Sequence, residues 1–104
     1  TVTESDWQTA KESRDKVVSD MAQLLADDTI LCMPTTVNLP PLIDASEEEL
    51  LKNRIQNMNH TALSPLSQVP EVCIPVAVTD NTTTGLSLLA GHGKDMMLLG
   101  FVTN

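Results

Sequence analysis

Two apolar segments in the C-terminal third constrain the fold of this chain more than any other feature. Residues 67–79 read Ser-Gln-Val-Pro-Glu-Val-Cys-Ile-Pro-Val-Ala-Val-Thr, and residues 85–90 read Gly-Leu-Ser-Leu-Leu-Ala. They predict strands at about 72–79 and 84–90, joined by a polar turn at residues 80–81. Because the strands are apolar at nearly every position, both faces of their sheet need cover. A chain of 104 residues has few other elements to supply that cover, so we expect one edge of a larger α/β structure.

Composition excludes several classes of function. The length suits one domain, and the net charge of −8 argues against a nucleic-acid partner, which would need clustered Lys and Arg. No apolar run is long enough to predict membrane insertion. The aromatic residues are Trp7 and Phe101 alone, and so few large side chains favour a piece of a larger structure. The sequence starts at Thr1, so we expect the native N-terminus to lie outside it.

The rest of the chain alternates helices with short strands. Residues 4–26 predict an amphipathic helix whose N-terminus carries a capping box at Ser5 and Gln8. Residues 29–33 predict a buried strand that ends at a proline. A second capping box at Ser46 and Glu49 starts another helix, and a linker bounded by two prolines leads into the two apolar strands. The predicted order is helix, strand, helix, strand, strand, helix, which is typical of the α/β class.

The second helix carries an apolar stripe that we expect to face a core. Its members recur at helical spacing and are Leu50, Leu51, Ile55, Met58, Ala62 and Leu63.

Residues that could carry chemistry are few. Ser64 and Ser67 lie near His60, so a Ser–His pair is one interpretation, and exposed polar residues at a helix end are the favoured one. Cys32 and Cys73 are interpreted as buried reduced thiols, with a disulfide between adjacent strands left open and no zinc-type spacing.

A glycine-containing segment precedes the last helix and could suggest a phosphate cradle. Residues 91–95 read Gly-His-Gly-Lys-Asp, which matches neither the P-loop nor the dinucleotide spacing. We therefore interpret this segment as a strand-to-helix turn, with the helix beginning near Gly93 or Lys94. We predict neither a metal ion nor another cofactor.

The order of the motifs resembles the C-terminal quarter of amidase signature enzymes. The matching residues are Arg14 and four ranges, 28–36, 68–76, 85–90 and 93–99. The first range reads Asp-Thr-Ile-Leu-Cys-Met-Pro-Thr-Thr and the last reads Gly-Lys-Asp-Met-Met-Leu-Leu. The His-Gly-x-Asp ending is most similar to plant-type members, which include indole-acetamide hydrolases and an amidase-like receptor of the chloroplast outer-envelope translocon.

The resemblance implies a mixed sheet covered by helices on both faces, in a chain several-fold longer. It also implies amide hydrolysis by a Ser–Ser–Lys triad in which a lysine acts as base and backbone N–H groups hold the oxyanion. The sequence contains no Gly-Gly-Ser-Ser-type stretch, so no catalytic residue is carried over. The family's frequent Gly-Leu-Pro is replaced here by Gln68-Val69-Pro70.

If the chain lines a substrate pocket, Asn57, Thr61 and Ser64 are the candidate residues, and the alternative is that they are surface polar positions. We expect a C-terminal segment of an amidase-fold hydrolase acting on linear amide C–N bonds, contributing sheet and pocket wall. Its partners would be the remainder of the domain or another protein chain, with a small amide as substrate, inside the cell in the cytoplasm or an organelle. The alternative is a non-catalytic amidase-like module for protein interaction or structure.

Overall fold

The computed structural model describes residues 1–77 and 82–103. The elements in chain order are α1 (Glu4–Leu24), β1 (Leu31–Pro34), α2 (Glu47–Thr61), α3 (Leu63–Ser67), β2 (Glu71–Ala77), β3 (Thr83–Leu89) and α4 (Asp95–Thr103). This confirms the predicted α/β class and element order, with the short α3 forming part of the predicted linker. The predicted turn at 80–81 and positions 78–79 of the predicted strand lie outside the described residues.

Helix α1 begins two residues earlier than the predicted capping box. The N-cap is Thr3, whose hydroxyl accepts a hydrogen bond from the Asp6 backbone N–H at 3.1 Å, while the Asp6 carboxylate accepts from the Thr3 N–H at 3.0 Å. The capping box predicted at Ser5 and Gln8 is therefore wrong. The backbone N–H of Thr3, followed by its hydroxyl, lowers the pKa of Asp6 from 3.8, because hydrogen bonds to a carboxylate favour its charged form.

Helix α2 begins at the predicted position. The Ser46 hydroxyl accepts from the Glu49 N–H at 3.2 Å, and the Glu49 carboxylate accepts from the Ser46 N–H at 3.1 Å. Three glutamates in the first turn also suit the positive end of the helix dipole. The capping box predicted from the sequence is confirmed.

The three described strands form one antiparallel sheet in the order β1-β3-β2. The register places Met33, Ser87 and Cys73 side by side across the sheet. Since successive side chains of a strand point to opposite faces, the neighbouring row of Cys32, Leu88 and Val72 lies on the other face.

Helices cover both faces of this sheet near the C-terminal end of β3. On one face, Leu89 packs with Met21 and Leu25 of α1. On the other face, Leu88 and Ala90 pack with Leu98 of α4. The expectation that both faces are covered is confirmed at this end of the sheet.

The two cysteines differ from their predicted burial. Cys32 and Cys73 are free and both are exposed, so the interpretation as buried thiols is wrong. They lie on β1 and β2, which flank β3 on either side and are not neighbours. The register also places them on opposite faces of the sheet, so the disulfide left open by the sequence has no geometric basis.

The molecule is a thin slab, and its core is small. Its principal extents are 47 × 41 × 15 Å and its radius of gyration is 16.5 Å, whereas a compact domain of this length has about 13 Å. Among the described residues, more large hydrophobic side chains are exposed than buried, and Ile43 is fully exposed. A soluble domain that folds alone rarely leaves this much apolar surface uncovered.

Candidate functional site

The three predicted pocket residues lie along the end of α2 and the start of α3. Asn57 accepts a hydrogen bond from the Val37 N–H at 3.0 Å, so its amide holds the loop after β1. The Ser64 hydroxyl donates to the Val69 carbonyl at 2.7 Å, and Thr61 is exposed. Two of the three side chains therefore contact backbone of this chain, and their assignment to a substrate pocket stays a prediction.

The Ser–His interpretation finds no geometric support. His60 contacts the Pro34 carbonyl through Nε2, while Ser67 donates to the Leu63 carbonyl within α3. Because Ser64 also donates to a backbone carbonyl, neither serine is hydrogen-bonded to the imidazole. A nucleophilic serine needs its base within hydrogen-bond reach.

A cluster of hydroxyl and thiol groups on one sheet face was missed by the sequence reasoning. Thr35 Oγ1 lies 2.7 Å from Ser87 Oγ and 3.1 Å from Cys73 Sγ, so one hydroxyl joins β3 to β2. The cluster fits only because Gly85 has no side chain, since a Cβ there would lie 2.6 Å from both Thr35 Oγ1 and Cys73 Sγ. Thr35 and Gly85 both lie in ranges that resemble the amidase signature family, and this resemblance was the one sequence signal that could have indicated the cluster. The cluster has polar groups that can hydrogen-bond a ligand, and only Cys73 among its polar members is exposed.

A second feature is an open cavity of about 450 Å³ between the end of α1, the end of α3 and the segment before α4. His92 Nδ1 lies 2.8 Å from the Gln68 carbonyl, so Nδ1 carries a proton and donates it. Lys94 Nζ lies 3.7 Å from the Asp28 carboxylate, in an exposed pair that contributes little to stability. The segment is a turn in which Gly93 has a φ of 78°, and Asp95 is the first residue of α4. The geometry thus agrees with the strand-to-helix interpretation of residues 91–95.

The described residues contain neither a candidate metal cluster nor a candidate membrane-spanning helix. No group of three or more His, Cys, Asp or Glu side chains lies close enough together to hold a metal ion. None of the helices is both long and apolar enough to cross a membrane.

Comparison with known proteins places this architecture among amidase-type folds. No family model matches the chain. It is 32% identical over 84 residues to Amidase 1 of Oryza sativa subsp. japonica, covering 81% of this chain and 19% of that protein. It is 26% identical over 98 residues to Translocon at the outer membrane of chloroplasts 64 of Pisum sativum, covering 94% of this chain and 16% of that protein.

A solved structure gives the same result for the fold. An allophanate hydrolase variant from Kluyveromyces lactis superposes with a TM-score of 0.75 at 23% identity, over 94% of this chain and 16% of that one. The chain therefore spans about a fifth or less of the length of the proteins it matches. The resemblance found in the sequence motifs is confirmed.

Proposed function

Because the chain is related in sequence and in fold to the amidase signature family, we propose that it is the C-terminal segment of an amidase-fold hydrolase of linear amide C–N bonds. In this role the sheet and α2–α3 form part of the pocket wall, with Asn57, Thr61 and Ser64 on the substrate side. The Ser–Ser–Lys triad comes from the rest of the domain. The observation that most supports this proposal is the match to rice Amidase 1, which covers most of this chain and only 19% of that protein.

The chemistry of the described side chains supports this division of roles. The hydroxyls of Ser64 and Ser67 donate to backbone carbonyls, and the imidazole of His60 is bound to another carbonyl. A serine whose proton is given to a carbonyl, with no base beside it, is not activated for attack on an amide. In this proposal the nucleophile, base and oxyanion donors belong to the remainder of the domain.

The test compares the chain alone with a graft. In the graft, these 104 residues replace the matched segment of rice Amidase 1, and hydrolysis is measured on a simple aryl amide that the unmodified parent cleaves. We expect no hydrolysis by the chain alone and measurable hydrolysis by the graft. Hydrolysis by the isolated chain would contradict the proposal.

The second candidate is a non-catalytic amidase-like module that works in protein binding. The match to the pea protein named Translocon at the outer membrane of chloroplasts 64, over 94% of this chain, favours it and an organellar setting. A folded but inactive graft, together with a monomeric and cooperatively unfolding 104-residue chain, would favour this module over the enzyme.

A further inference from the structure

Helix α2 turns its polar side toward the protein. The Val37 N–H donates to Asn57 Oδ1 at 3.0 Å, and Asn38 Nδ2 donates to Gln56 Oε1 at 2.7 Å. His60, on the same side, contacts the carbonyl of the last residue of β1. These hydrogen bonds fix the rotation of α2 about its own axis.

The opposite side of α2 is apolar and faces solvent. Leu51, Ile55 and Met58 are 56%, 50% and 51% exposed, and no described residue of α2 is buried. At about 100° per residue, these three positions lie roughly half a turn from the polar side. We call Leu51, Ile55 and Met58 the α2 stripe. A surface helix of a self-contained protein has the reverse arrangement, so the α2 stripe belongs against another surface.

The comparisons indicate what that surface is. The superposition on the allophanate hydrolase covers 94% of this chain. The unmatched residues are fewer than the 15 residues of α2, so they cannot include the whole helix. Most of α2 thus has a counterpart in a fold where the larger part of the polypeptide lies outside the matched segment. A second copy of this chain fits poorly, because each copy carries a net charge of −8 and the two would repel.

We propose that the α2 stripe docks into an apolar groove on the remaining part of the amidase-type polypeptide. This inference rests on the proposed function. The partner surface is defined by its chemistry: aliphatic side chains at the centre, opposite Leu51, Ile55 and Met58. The rim of this partner surface carries basic side chains where it meets the N-terminal end of α2, opposite Glu47 and Glu48.

The first test measures burial of the α2 stripe directly. Met58→Cys is introduced into the isolated chain and into the rice Amidase 1 graft, and alkylation by iodoacetamide is mapped by mass spectrometry. We expect Cys at this position to react in the chain and to be protected by more than tenfold in the folded graft. Equal reactivity in the two settings would overturn the docking surface.

The second test uses a buried charge with a matched control. Ile55→Lys should abolish the soluble folded graft while leaving the far-UV circular dichroism spectrum of the isolated chain unchanged, because a lysine is costly only where the stripe is covered. Ser19→Lys adds the same charge on an exposed position of α1 and should leave both unchanged.

The remaining outcomes separate this inference from the proposed function. A folded graft that tolerates Ile55→Lys refutes docking through the stripe and leaves the amidase assignment standing. Dimerisation of the isolated chain that Ile55→Lys reverses also refutes it, since the occupant would then be a second copy. An unsubstituted graft that stays insoluble counts against the proposed function itself.

Discussion

Gln68 occupies a backbone conformation that glycine adopts at lower cost, and replacing it is the most direct test of the structure. It ends α3 with φ 58° and ψ 43°, in the left-handed region. A side chain there crowds Cβ against the following carbonyl at a cost of about 1–2 kcal/mol, whereas glycine has no Cβ. The position is one at which the resemblance predicts Gly-Leu-Pro and this chain has Gln-Val-Pro.

The magnitude follows from the contacts that survive the change. The Gln68 N–H donates to the Ser64 carbonyl, and its own carbonyl accepts from His92 at 2.8 Å, and both groups are backbone. Gln68→Gly keeps both hydrogen bonds and removes the strain. Glycine also gives the unfolded chain more conformational freedom, which lowers the free energy of unfolding by roughly 0.5–1 kcal/mol. We expect a net gain of about 0.5–1 kcal/mol in the free energy of unfolding.

The assay is thermal and urea unfolding followed by far-UV circular dichroism. For a domain of about 100 residues, 1 kcal/mol raises Tm by roughly 4–8 °C, so a gain of a few degrees is measurable. Gln68→Ala keeps a Cβ in the same conformation and is the matched control, with no gain expected. If Gln68→Ala stabilises as much as Gln68→Gly, or if the glycine variant is less stable than the parent, the left-handed strain argument is refuted.

Two other substitutions and one pH dependence follow from particular contacts. Gly85→Ala should lower the free energy of unfolding by about 1–3 kcal/mol, because its Cβ would lie 2.6 Å from Thr35 Oγ1 and Cys73 Sγ, and urea unfolding measures the loss. Gly100→Ala adds a Cβ with no atom within 4 Å beyond its chain neighbours and the backbone of its own helix, so it should instead stabilise by roughly 0.5–1 kcal/mol. Equal effects of the two substitutions would contradict this packing argument. The pKa of Asp6 is lowered in the folded chain, so its contribution to stability is present above 3.8 and is lost as pH falls through the folded-state pKa. An Asp6→Asn variant should lose this component of the acid transition, and an unchanged pH profile of helix content would show that the capping box does not form.

Local sequence signals predicted the elements well because they depend on neighbouring residues. The Ser46 capping box formed where Ser-x-x-Glu predicted it, since both hydrogen bonds close within four residues. The capping box of α1 was misplaced because Thr3 and Asp6 compete with Ser5 and Gln8 within the same turn, and the Asp6 carboxylate is short enough to reach the N-cap N–H. The capping signal is local in both helices. The one error is in α1, where the predicted N-cap lies two residues after the observed one.

Predictions that needed the register of the sheet were less successful. Cys32 and Cys73 lie in apolar runs, which favours burial, yet β1 and β2 are the edges of the described sheet and both thiols are exposed. The Thr35–Ser87–Cys73 cluster likewise depends on pairing between strands far apart in sequence, because its hydrogen bonds span 52 and 38 positions. Single-sequence patterns carry little information on such pairings.

The orientation of α2 shows why an apolar pattern alone does not locate a core. The sequence correctly identifies a stripe with helical spacing, and we expected it to face inward. In the structure the amides of Gln56 and Asn57 bind the loop after β1, so the α2 stripe faces outward. Of the predicted members, Leu63 does pack against the core. The apolar pattern and the outward orientation are consistent with each other if the α2 stripe packs into a core whose other side is formed by residues outside this chain. Protection of Cys at position 58 in the graft, without protection in the chain, is the measurement that distinguishes this explanation from a stripe that is exposed in every setting.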